Sequence, residues 1–193
     1  MIIGFLGTGV ITEAIIRGLY DAAHYEGTIL VSRRSEKRSQ RLSEIYPNVR
    51  VVDHNQELAE QCDWLVVSVL PEQVSEVLSE LSIRPDQKVV SLAAGVSLDE
   101  LRAAATPATD VVRVIPMPPI EHGLGPVALC PRDDATQAFF HRIGTCVAVS
   151  DENQFNLFGA ASALMADFYD QVSGVTQWMN GKGLDLPTAA SYT

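Results

Sequence analysis

Apolar residues in the first 150 positions fall into short unbroken runs, separated by stretches where they recur every three or four residues. The runs cover residues 2–6, 28–32, 49–52, 64–69, 89–93 and 111–115. They are rich in β-branched side chains and do not alternate with polar ones. This is the pattern of strands covered on both faces of a parallel sheet. Between them, residues 10–22, 36–46, 72–81 and 98–105 carry apolar positions at helical spacing. Strand and helix in alternation predict an α/β fold with right-handed crossovers. Two more strands, at 127–129 and 145–149, flank a helix over 135–143 and extend the sheet. Asp133 and Asp134 suit the start of that helix, where the dipole favours negative charge.

The pattern changes after residue 150. Asp151 or Asn153 can cap one long helix over 151–178 that is apolar nearly all round, with Phe155, Leu157, Phe158, Leu164, Phe168, Val172, Val175 and Trp178. A helix without a polar face needs burial. The remaining chain is too short to provide it, so a partner subunit or further sequence is expected to cover it. Gly181, Gly183 and Pro187 are expected to end the helix. Two domains follow: 1–150, a doubly wound sheet, and 151–193, the beginning of an all-helical domain.

Composition narrows the function. Hydrophobic residues make up 47% and charged ones 20%, as in ordinary globular proteins. The formal charge of −10 disfavours nucleic acid, whose binding needs a basic surface. No apolar run is long enough to span a membrane. The first seven residues lack a basic flank and a small-residue cleavage site, so they read as a strand and not as a signal peptide. Cys62, Cys130 and Cys146 are odd in number and without histidines at metal-ligand spacing. They are expected to be buried free thiols in a reducing, cytoplasmic setting, with no metal.

The chemistry concentrates at Gly7-Thr8-Gly9-Val10-Ile11-Thr12, directly after the first strand and at the opening of the first helix. The first glycine permits the tight turn, and the second lets a pyrophosphate approach the backbone. The helix N–H groups and dipole then hold the anion. Thr12 takes the third position, usually Gly or Ala. This context predicts a Rossmann-type dinucleotide-binding domain. The second strand ends in Ser32-Arg33-Arg34, where an NAD-preferring domain usually places an acidic residue. A hydroxyl and two guanidiniums suit a 2′-phosphate, hence NADP(H). Sheet order puts the nicotinamide beyond Ser68-Val69-Leu70-Pro71 and Leu92-Ala93-Ala94-Gly95, at the ends of the fourth and fifth strands.

At these residues the sequence resembles the pyrroline-5-carboxylate reductase family. The likeness rests on residues 3–9 with Glu13-Ala14-Ile15-Ile16-Arg17-Gly18-Leu19, on 69–73, on 91–98 with its Ala-Ala-Gly-Val, and on Val112-Arg113-Val114-Ile115-Pro116. It continues more thinly to Gly183-Leu184-Asp185-Leu186-Pro187. The resemblance implies an NADPH-dependent reductase of a cyclic imine or related substrate. It also implies a helical dimerisation domain, a homodimer, and a substrate site between the domains. Carried over by position, the cofactor contacts are Gly7, Thr8, Gly9, Val10, Ile11, Thr12, Ser32, Asn55, Ser68, Val69, Leu70, Pro71, Leu92, Ala93 and Ala94.

The departures from the family pattern fall near the reaction site. Leu70 stands where the family has lysine, and Met117-Pro118 replaces an asparagine and threonine. Ala163-Leu164-Met165-Ala166-Asp167-Phe168 occupies the place of the family's Ser/Gly-rich, carboxylate-binding segment. Asp167 would repel a carboxylate if it faced the pocket, and hydrophobic Leu164, Met165 and Phe168 point to a less anionic substrate. Asp167 and Tyr169 are the weak catalytic candidates, each equally readable as a plain helix residue. His122 reads by default as a loop histidine. Two other readings remain at this stage: a reductase of the β-hydroxyacid or F420-dependent kind acting on another carbonyl or imine, and a non-catalytic nucleotide-binding protein.

Overall fold

The computed structural model describes all 193 residues and divides into two compact units, 1–152 and 153–193. In the first unit, eight strands form one sheet in the order β3-β2-β1-β4-β5-β6-β7-β8. They are β1 (Ile2–Leu6), β2 (Thr28–Ser32), β3 (Val49–Val52), β4 (Trp64–Val67), β5 (Lys88–Ser91), β6 (Val111–Pro116), β7 (Pro126–Cys130) and β8 (Thr145–Ala148). The first six are parallel. β7 runs antiparallel to β6, and β8 is parallel to β7. The unbroken apolar runs have the expected cause: β4 and β5 are buried along their whole length, whereas the edge strand β8 is half open.

The crossovers carry helices α1 (Val10–Arg17), α2 (Glu36–Ile45), α3 (Asn55–Gln61), α4 (Val74–Ser79), α5 (Leu98–Ala104) and α6 (Asp134–Phe140). Ile15, Ile16 and Leu19 pack with Phe5, Val31, Phe139 and Phe140 in the main core. The helix expected over 10–22 is α-helical only to Arg17 and continues as a wider π turn over Gly18–Ala22. The Tyr20 hydroxyl, donating to the Gly27 carbonyl at 2.8 Å, helps close the following loop. The pattern gave no sign of α3, because only Leu58 and Ala59 of its seven residues are buried. Ser97 and Glu100 form a reciprocal capping box on α5, and Asp133 caps α6 through the Thr136 N–H.

The second unit corrects the single-helix expectation. Residues 152–181 form two helices, α7 (Glu152–Ser162) and α8 (Leu164–Gly181), which meet at Ala163. Pro187 does not end structure but opens a third helix, α9 (Leu186–Tyr192). Proline fits a first helical turn, where its missing N–H is not needed, and the Asp185 side chain accepts from the Thr188 N–H as a cap. In the single chain the apolar surface of α8 stays open, with Leu164, Phe168, Val175 and Trp178 all exposed. No helix is long and apolar enough to cross a membrane.

Candidate functional site

Strand order reverses between β1 and β4, so the crossovers leave in opposite directions and open a crevice beyond their carboxyl ends. The Gly7 turn and Ser68 meet there. Gly7 has φ +97°, and a Cβ on it would fall 2.4 Å from the Ser68 carbonyl oxygen, so only glycine fits. Gly9 differs. Its backbone is extended, at φ −83°, and a Cβ would meet nothing within 4 Å. The space beside Gly9 is therefore open cleft, the room a pyrophosphate would need. The first-turn N–H groups of α1 border it without intrahelical partners.

Three hydroxyls brace the turn. The buried Ser32 side chain accepts the Gly7 N–H at 2.8 Å, and the Thr8 hydroxyl donates to the Ser32 carbonyl at 2.7 Å. The Thr12 hydroxyl lies 2.9 Å from the Gly7 carbonyl oxygen and 2.8 Å from the Ser68 hydroxyl. With one proton to give, Thr12 donates to the carbonyl and accepts from Ser68. Ser32, expected at the 2′-phosphate, is buried beside the turn and accepts the Gly7 N–H there.

The cleft, of ≈ 470 Å³, is lined by Gly7, Thr8, Gly9, Val10, Ile11, Arg34, Ser35, Ser68, Val69, Leu70, Gln73 and Leu92. Ten of these were expected cofactor contacts on the 7–12, 68–70 and 92 segments or at Arg34. Others fall elsewhere. Thr12 is buried beneath the turn. Pro71 lines a separate apolar groove with Val74, Gly95 and Val96. Ala93 is buried and Ala94 exposed, outside the cleft lining. Asn55, at the start of α3, borders an adjoining depression of ≈ 610 Å³ with Arg33, Arg34, Glu36, Asp53 and His54. Arg33 is not free: its guanidinium donates to Glu36 at 2.8 Å and to Asp53 at 2.9 Å.

An acidic centre behind the turn went unread in the sequence. The largely buried Glu13 carboxylate receives Arg17 at 2.9 Å and Arg38 at 2.8 Å, and it also pairs with Arg41. Arg38 reaches on to the Thr8 carbonyl at 3.3 Å. Burial alone would raise the Glu13 pKa. The hydrogen bonds from Arg17 and Arg38 and the charge of Arg41 outweigh it and hold the carboxyl below its usual range. The spacing of Glu13 and Arg17 announces their pair. Arg38 and Arg41 join only when α2 folds beside α1.

The candidate catalytic side chains are not gathered. Asp167 and Tyr169 are exposed on α8, and two positions on a helix lie about 200° apart around its axis, so they face different sides. His122, on the short 3₁₀ turn Pro118–His122, stands in solvent with 72% of its side chain exposed, 3.5 Å from Glu121. Cys62, buried against Gln87, has its thiol pushed up to about 11 by burial and is an inert core residue.

A family profile described as NADP oxidoreductase, coenzyme F420-dependent, matches residues 2–95. The pyrroline-5-carboxylate reductase of Corynebacterium melassecola is 36% identical over 128 residues, covering 64% of this chain and 47% of that protein. The Vibrio alginolyticus enzyme of the same name is 26% identical over 97% of this chain and 72% of its own length. A solved pyrroline-5-carboxylate reductase from Coxiella burnetii superposes with a TM-score of 0.80 at 26% identity, over 98% of this chain and 74% of that one. Along most of its length the chain is similar to pyrroline-5-carboxylate reductases. It spans 47%, 58% and 62% of the length of the first three curated relatives. Within the reductase pattern, Leu70 sits exposed on the cleft rim in place of the family lysine, and Ala163 marks the α7–α8 junction.

Proposed function

We propose that the protein is an NADPH-dependent reductase that transfers hydride to a cyclic imine, either pyrroline-5-carboxylate or a less anionic relative. The observation that carries this reading is the open space beside Gly9, framed by the N-terminus of α1 and shaped as a diphosphate seat. NADPH, when bound, supplies the hydride. The chain's own part is to hold and shield. The first turn of α1 would take the pyrophosphate, Arg34 and Ser35 border the ribose side, and Val69, Leu70 and Leu92 give an apolar rim that excludes water. A protonated C=N is already electrophilic, so no strong general acid is required. This fits the solvent-exposed positions of His122, Asp167 and Tyr169.

The exposed stripe of α8 supports a homodimer through the second unit, and three free cysteines suit a reducing cytoplasm. Leu70 and the hydroxyl-poor 163–168 segment favour a substrate with less negative charge. The test is NADPH binding by calorimetry, followed by NADPH oxidation with pyrroline-5-carboxylate and with cyclic imines lacking the carboxylate. Turnover of either class supports the reading, and the faster class names the substrate. Absence of affinity for any pyridine nucleotide overturns it.

A further inference from the structure

Two adjacent arginines follow β2, and the structure separates them. Arg33 lies between two carboxylates. Its Nε and one terminal nitrogen face Glu36 at 3.3 and 2.8 Å, and its other terminal nitrogen faces Asp53 at 2.9 Å. This trio joins the end of β2, the first turn of α2 and the segment after β3, and its formal charge is −1. Arg34 is exposed and paired with no carboxylate, and it borders both the glycine-turn cleft and the depression that holds Asn55. The other nearby guanidiniums, Arg38 and Arg41, are held on Glu13. Lys37 borders a third depression with Ser35, Glu36, Arg38 and Arg41.

We infer that Arg34, and not Arg33, selects the 2′-phosphorylated nucleotide, and that Glu36 and Asp53 withhold Arg33 from it. The inference rests on the NADPH reading above and assigns its specificity. A phosphate carrying about −1.5 to −2 charge that reached for Arg33 would have to displace two carboxylates and would remain beside them, like charge against like. At Arg34 it meets an unopposed planar fork suited to phosphate oxygens. Glu36 and Asp53 thereby act as specificity-setting residues without touching the cofactor: they lower the preference for NADPH over NADH that two free arginines would produce.

The test is calorimetric titration of NADPH and NADH into the full chain and three variants, reading the ratio of the two dissociation constants. Arg34→Gln is expected to cut the preference for NADPH about tenfold or more, the scale of a lost charge-assisted phosphate contact. Arg33→Gln should move both affinities together and keep the ratio. Glu36→Gln with Asp53→Asn should raise the preference roughly threefold to tenfold, since each exposed pair that a phosphate must break is weak. An Arg33→Gln ratio that falls like that of Arg34→Gln, or a ratio unmoved by the double variant, overturns the assignment. All four residues are exposed, and thermal melts of the variants check that folding is intact. If the unaltered protein binds neither nucleotide, the cofactor reading itself fails. If it binds NADPH but Arg33→Gln destroys the preference, that reading stands and only this assignment falls.

Discussion

The hydroxyls of Thr12 and Ser68 meet at 2.8 Å and tie the first turn of α1 to the end of β4. Through the Thr12 bond to the Gly7 carbonyl, the tie also fixes the glycine turn. The position usually held by a small residue thus carries a polar brace as well as a packing surface. Thr12→Val keeps the shape and removes the hydroxyl, leaving the Gly7 carbonyl and the Ser68 hydroxyl without this partner. The expected loss is about 1–3 kcal/mol of stability, the usual cost of an unsatisfied buried polar group. Thr12→Ser should restore most of it. Urea unfolding measures both, and a Thr12→Val protein as stable as the parent would remove the brace from the account.

Gly7 and Gly9 should fail differently when changed to alanine. Gly7→Ala puts a Cβ 2.4 Å from a carbonyl oxygen at positive φ, so the turn must move, and the folded protein should be destabilised with or without nucleotide. At Gly9 an alanine meets no protein atom within 4 Å and needs no unusual backbone. The Gly9→Ala protein should therefore melt like the parent yet bind NADPH about tenfold or more weakly, since its methyl group occupies the diphosphate seat. Melting curves and calorimetry together give the contrast. Equal NADPH affinity in the Gly9→Ala protein would place the cofactor elsewhere.

Much of this arrangement could be read from residue order, because the first unit is built from local rules. Continuous apolar runs mark buried parallel strands, and the glycine turn lies where β1 must hand over to α1. What stayed hidden depends on contacts between segments distant in sequence. Arg33 looks available until β3 brings Asp53 beside it, and the bond from the Gly7 N–H to the Ser32 hydroxyl oxygen exists only once β1 and β2 lie side by side. Helix α3 was invisible because two buried residues make no periodicity. The break at Ala163 and the helical start at Pro187 lie in a short unit whose apolar residues leave little face-to-face contrast for a pattern to follow.

Glu13 gives a pH dependence with a definite sign. Its folded pKa lies below the usual 4.5 because Arg17, Arg38 and Arg41 outweigh the cost of burial. A depressed carboxylate stabilises the fold fully above its unfolded pKa, and that contribution is lost as pH falls through the folded value. Melting temperature should therefore decline on acidification below about pH 5, the ordinary carboxylate range. Glu13→Gln should be less stable than the parent at pH 7, with the gap closing toward pH 3. Asp133 shifts in the same direction: burial raises its pKa, but the Thr136 and Lys88 contacts prevail, so the variant keeps part of the decline. A gap that stays constant with pH would show that the arginines do not stabilise the ionised form.

The stripe on α8 makes a prediction about assembly. Leu164, Phe168, Val175 and Trp178 are spaced by four, seven and three residues, so they share one helical face, and each is about half exposed or more. An apolar stripe of this length facing water is costly, and a second copy of the same chain can cover it by matching the same stripe about a two-fold axis. Phe168→Glu places a charge in the middle of that contact. Light scattering on the parent chain should give a dimer, and the variant should be a monomer that retains the melting transition of the sheet unit. Trp178→Glu should do the same from the other end of the stripe. If the parent is monomeric at tens of micromolar, or if both variants remain dimeric, the stripe serves some other contact.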